Sequence, residues 1–208
     1  MKITKIFIIA AIAGSMLAGC SKNNDPATRE QGILINGVVW AQCNVDAPGK
    51  FADKPEASGM FYQWNRKRAY PTTENVTDWD DTNPAGTAWT AVNDPSPAGW
   101  RVPTKAELEK LLDLTKVDIK FDERSGIKGV YFSDKANPNN RIFLPVAGWR
   151  DFEFDFKLVG VGAWSGYWSS AQSNDNEAYS LSIQWNSDCK IFDLSTKIAG
   201  LSLRCVKK

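Results

Sequence analysis

The chain has 208 residues, with 25 Lys+Arg against 24 Asp+Glu. That length suits one well-cored domain, and so even a charge balance gives no electrostatic case for nucleic acid or an anionic membrane surface. Histidine is absent, which removes Ser-His-Asp and Cys-His catalysis along with His-based zinc and haem sites.

The chain opens with a short basic stretch (Lys2, Lys5), an apolar run from Ile6 to Met16, and then Leu17-Ala18-Gly19-Cys20. The run is too short to span a bilayer comfortably, and small residues leading into a cysteine form a bacterial lipoprotein signal. Residues 1–19 are read as a signal peptide cleaved before Cys20, whose thiol takes a diacylglycerol. Acyl chains anchor at about 0.8 kcal/mol per buried CH₂. Removing 1–19 takes two lysines and no acids, so the net charge goes from +1 to −1. Residues 20–32 are polar and read as a flexible tether. Ser21, rather than an Asp, follows the cysteine. The expectation is an outer-membrane lipoprotein, on the periplasmic face or cell surface, partnered with the membrane through its lipid.

From Ile33 onward, over 33–208, short strands are expected. Ile33 to Ala41 is β-branched, with Asn36-Gly37 as its turn. Gly59 to Trp64 (GMFYQW) is an aromatic run for a core strand or short helix. Residues 71–99 are rich in Pro, Thr, Asn, Asp and Gly, with Trp79 and Trp89 among them; a loop of that length inside a domain is often functional. Thr104 to Glu107 forms a capping box, and Leu108, Leu111 and Leu112 share a helical face, so a helix is predicted from there to about Leu114. Asp151, Glu153 and Asp155 alternate with phenylalanines, as on an amphipathic strand. Tyr179 to Trp185 alternates as a half-buried strand, followed by a turn at Asn186-Ser187-Asp188, a returning strand from Cys189 to Phe192, and a last strand over Leu201–Val206.

Six segments, in this order, carry a resemblance. They are Ile35 to Ala41, Gly59 to Trp64, Pro97 to Thr104 (PAGWRVPT), Leu144 to Arg150 (LPVAGWR), Tyr167 to Ser170 (YWSS) and Ser202 to Val206 (SLRCV). Together they resemble the Fibrobacter succinogenes major paralogous domain, common in lipoproteins of Bacteroidetes and Fibrobacteres. The resemblance implies a C-type lectin-like α+β fold: short antiparallel strands, one or two helices, a long loop region, and distant kinship with formylglycine-generating enzymes. It implies no single activity. Members often have cysteine where this chain has Ser96, which deprives Cys205 of that partner. A Cys189–Cys205 disulfide is then expected, with pairings to Cys43 or three buried thiols left open.

Several candidate sites follow. Cys189 and Cys205 fall at core-facing strand positions, unsuited to the reactive, copper-binding cysteines of the formylglycine enzymes. Trp185-Asn186-Ser187-Asp188 resembles half of a lectin calcium motif with one residue inserted, and Asn137-Pro138-Asn139 lacks the acid of the other half; turn residues explain both. The carboxylate groups nominate no catalytic pair. No cofactor or metal is expected. Of nine tryptophans, Trp79, Trp89 and Trp164 sit in polar, loop-like surroundings and are the candidate platforms for stacking a sugar ring. Trp40, Trp64, Trp100, Trp149 and Trp168 belong to the recurring motifs and are assigned to the core. The expectation is a non-catalytic binding or adhesion protein toward a glycan, or alternatively a protein–protein component of a surface assembly.

Overall fold

A computed structural model describes residues 31–72, 76 and 78–208; Cys20, the signal peptide and most of the tether lie outside the described residues. Asn36 (φ 45°) and Gly37 (φ 75°) supply the left-handed pair that a two-residue hairpin turn demands. They join β1 (Ile33–Ile35) to β2 (Val38–Trp40) in the register Ile35↔Val38. The chain's end returns to this hairpin: β14 (Val206–Lys207) lies between β2 and β5 (Trp100–Arg101), closing a sheet in the order β1-β2-β14-β5. The aromatic run yields β3 (Phe61–Tyr62), which pairs with β4 (Ala69–Tyr70).

The capping box forms as predicted. Thr104 Oγ1 accepts from the Glu107 amide, and Glu107 Oε2 accepts from the Thr104 amide at 2.8 Å. The helix it starts, α1, covers only Lys105–Leu111. It stops short of Leu114 because Asp113 Oδ1 accepts from the backbone and hydroxyl of Thr115, offering the chain a turn in place of another helical bond.

Three further strands follow: β6 (Val117–Arg124), β7 (Ile127–Asp134) and β8 (Arg141–Pro145), consecutive antiparallel neighbours. β9 (Trp149–Asp151) pairs with β10 (Lys157–Val159). A three-stranded sheet β11-β12-β13 completes the fold, from Trp164–Gln172, Glu177–Gln184 and Asp188–Thr196.

The α+β, C-type lectin-like expectation is overturned. Among the described residues there is one α-helix of seven residues and one three-residue 3₁₀ turn against fourteen strands in small antiparallel sheets. Only the segment behind the capping box has both a helix start and helical apolar spacing; elsewhere aromatic and β-branched residues favour the pleated, half-buried surface of a sheet.

Leu201, Leu203 and Cys205 point inward as expected, but Ser202 and Arg204 are equally buried, so the last segment is enclosed on both sides. Arg204 is fully buried, and carbonyl dipoles satisfy it: it donates to Asn44 Oδ1 and to the Phe143 carbonyl, both at 2.9 Å, and to the carbonyls of Ala41 and Gln42. It thereby ties the terminal segment to β8 and to the chain just after β2.

The expected Cys189–Cys205 disulfide is absent. Cys43, Cys189 and Cys205 form no disulfide in the structure. Cys189 packs against the cluster around Trp40, Phe132 and Ile183, whereas Cys205 belongs to the cluster around Trp64, Trp100 and Trp168. Cys205 Sγ lies instead 3.0 Å from Ser96 Oγ.

Candidate functional site

Alternation along β11–β13 divides the sheet into two faces. Tyr167, Leu181, Ile183 and Ile191 turn toward the core. Trp164, Gly166, Ser180, Ser182, Lys190 and Phe192 line the other face, consistent with the register Gly166↔Ser182↔Lys190 and Ser180↔Phe192. This outer face is the floor of a groove of about 560 Å³, within the ordinary range of small-molecule sites. Trp149 and Asp151 of β9, with Glu153 of the 3₁₀ turn Phe152–Phe154, form one side. Ser195, Thr196, Ala199 and Leu201 close it from the C-terminal segment.

The groove combines aromatic surface with small hydroxyl side chains. Trp164 and Phe192 are each 38% exposed, and Trp149 is half-buried. The Ser180 and Ser195 hydroxyls meet at 2.8 Å. The backbones that carry Trp149 and Trp164 are joined, because Gly148, next to Trp149, donates its amide to the Trp164 carbonyl at 3.0 Å.

Trp149 is fixed by two contacts. Its indole Nε1 donates to Asp151 Oδ2 at 3.0 Å. Gly160 lies against the ring: a Cβ there would stand 2.3 Å from Cζ3, at a φ of +71° that only glycine adopts without strain. Asp151 is engaged at its other oxygen too, where Oδ1 accepts from the Glu153 amide at 3.0 Å. The strand expected across Asp151–Phe156 therefore does not form. Asp151 caps a 3₁₀ turn, and Asp155 and Phe156 follow at positive φ.

The structure separates the three candidate tryptophans. Trp164 lies in the groove. Trp79 does not: its ring stacks on Phe156 at 4.9 Å, sits 4.1 Å from Tyr70, and donates Nε1 to the Ile198 carbonyl at 2.9 Å. Trp89 packs edge-on against Trp64 and bonds the Asn93 carbonyl at 3.0 Å. Both are structural parts of the loop region. Trp149, assigned to the core from the sequence, does both: it is half-buried, packs against the cluster around Trp64, Trp100 and Trp168, and also lines the groove. Its polar neighbour Asp151, two residues on, is the signal that could have found it.

The loop region itself is fastened. Asn65 Oδ1 accepts from the Thr90 amide at 2.8 Å, Gln63 Nε2 donates to the Asp80 carbonyl at 2.6 Å, and Arg66 pairs with Asp80. Beneath it, the buried Lys197 donates to Gln172 Oε1 and the Asp175 carbonyl, each at 2.9 Å, and lies over the Trp64 ring. Burial lowers the Lys197 pKa, with nearby Asp175 opposing.

Burial pushes both Cys189 and Cys205 up to about 12, far from the thiolate that nucleophilic or metal-binding cysteine requires. Among the described residues, no group of three His, Cys, Asp or Glu side chains could hold a metal, and no helix is long and apolar enough to cross a membrane.

A family model, the Fibrobacter succinogenes major domain, matches residues 22–207. No curated protein and no solved structure matches the chain.

Proposed function

The chain belongs to the Fibrobacter succinogenes major domain family, and from that premise we propose that it is a lipid-anchored envelope protein that binds glycan without catalysis. The groove on the outer face of β11–β13 is the binding surface. The observation that carries this reading is the pairing of exposed indole and phenyl surface (Trp164, Phe192), flanked by the half-buried Trp149, with hydroxyls at Ser182, Ser195 and Thr196. A sugar ring offers apolar C–H faces for an aromatic partner and hydroxyls for the polar one. The lipoprotein-type start, Leu17-Ala18-Gly19-Cys20, supports attachment at Cys20 and an outer-membrane location.

Non-catalytic action is supported by how the reactive groups are used. Asp151 orients an indole and caps a turn, Cys43 and Cys205 are buried, and Cys189 is half-buried against the core. The test is a glycan array probed with the full chain in detergent micelles, with and without chelator. Binding that survives chelation, and is lost in Trp164→Ala and Trp149→Ala, is the expected result. Binding unchanged in both variants would sink the assignment of the groove.

One observation favours a second reading, a protein–protein component of a surface assembly. Phe154 and Val161, 55% and 62% exposed, fall in the segments that border the groove. Apolar surface of that kind can seat a protein partner.

A further inference from the structure

Resting on the glycan reading of the groove, we propose that the site selects by charge: it takes sugar chains that are uncharged or bear free amines, and turns away chains bearing carboxylate or sulfate. The ionisable groups that line the groove set this selectivity. Asp151 and Glu153 stand beside Trp149, and among the described residues Lys190 is the one basic residue along the lining. Lys190 Nζ lies 3.4 Å from the Asp188 carboxylate, so its charge is already offset within its own strand.

Two other cations lie nearby, and neither lines the groove. Arg150, between Trp149 and Asp151 in sequence, is 1% exposed and donates to the carbonyls of Pro71 and Phe156. Lys157 stands opposite Asp151 across the β9–β10 pair but does not line the groove.

The negative charge is also fixed in place. Asp151 is held by the Trp149 indole and the Glu153 amide, at 3.0 Å each, so its carboxylate sits at the edge of the ring that would carry the sugar. Any ring stacked on Trp149 therefore lies within a few ångströms of an immobile anion. At such separations near a protein surface, a like charge on the ligand lowers affinity by about tenfold and an amine raises it comparably. Added salt screens both effects.

The experiment compares four probes by calorimetric titration of the full chain in micelles: a glucosamine tetramer, its N-acetylated counterpart, a galacturonate tetramer, and tetralysine. Titrations are run at low salt and at about 0.5 M salt. The amine-bearing sugar is expected to bind about tenfold more tightly than the N-acetylated one at low salt, with galacturonate weakest. The gap should close at high salt and in Asp151→Asn/Glu153→Gln, and narrow in Glu153→Gln alone, whose exposed side chain can change without unfolding risk.

Equal binding of the three sugars, or a gap that persists in the double variant, overturns charge selection and leaves the glycan reading standing. If no sugar binds, the glycan reading fails and this inference fails with it. Tetralysine binding as tightly as the amine-bearing sugar would also overturn it, by pointing to a basic protein segment.

Discussion

The loop region around Trp79 and Trp89 and the outer face of β11–β13 look alike in sequence, since both set tryptophan among Asp, Ser and Thr. They differ in what reaches the indole. In the loop, a main-chain carbonyl takes each N–H and another aromatic ring packs against the indole, as Ile198 and Phe156 do for Trp79. On the sheet, Trp164 stays open and Trp149 is tied to a carboxylate at the groove's margin. Local polarity does not decide whether a tryptophan is a platform. The decision lies with acceptors and rings brought in from far along the chain, 119 residues away in the case of Trp79 and Ile198.

The largest effect expected from breaking this contrast is on stability. Trp79→Ala removes the stack between Tyr70 and Phe156 and leaves the Ile198 carbonyl short of a donor. It should cost about 4 kcal/mol, read as a lowered urea midpoint, while the folded fraction binds ligand with unchanged affinity. Lost affinity at unchanged stability would return Trp79 to the binding surface.

Ser96→Cys strengthens the loop side of the comparison. With Ser96 Oγ at 3.0 Å from Cys205 Sγ, a second sulfur falls within reach of a bond after a small adjustment. Oxidation should join the end of the loop region to the terminal strand and add about 3 kcal/mol. Thiol titration checks it: oxidation should remove two titratable thiols, and no loss on oxidation would refute it.

On the sheet side, Trp164→Ala should leave the unfolding midpoint nearly unchanged and weaken glycan binding at least about tenfold, or about 1.4 kcal/mol. A midpoint drop as large as that of Trp79→Ala would show that Trp164 is structural after all.

How much of this was legible depended on the range of each signal. The Asn36-Gly37 turn, the Thr104–Glu107 capping box and the alternation over Tyr179–Gln184 are set by residues within a few positions of one another, and each formed. The family's architecture was misjudged because the motifs say which segments recur and not which pack as strands. The groove was half legible. Trp164 was legible from its surroundings, but the half-buried Trp149 reaches the groove's edge in a setting built by the close approach of Gly160 and the β9–β10 pairing, which no local pattern reports. The expectation for Cys189 and Cys205 rested on shared parity, and parity does not tell which of two core clusters a strand faces.

The smallest effect lies away from both regions and serves as their common reference. Glu107 closes the capping box and accepts Arg101 Nη1 and Nη2 at 2.8 and 2.6 Å. Burial alone would raise its pKa, but the hydrogen bonds from Arg101 and Thr104 outweigh burial and hold it below the ordinary glutamate value. Those same bonds to Glu107 raise Arg101. A carboxylate whose folded pKa is depressed stabilises the fold above its unfolded pKa, and that contribution is lost as pH falls through the folded one. Glu107→Gln keeps a capping acceptor and removes the charge. It should cost about 1 kcal/mol near neutral pH, and the difference from wild type should shrink as acid protonates Glu107. A difference that stays constant from neutral to acid pH would mean that shape alone, and not charge, holds the start of α1. Neither side of the tryptophan comparison should respond, because Glu107 touches neither the loop aromatics nor the groove.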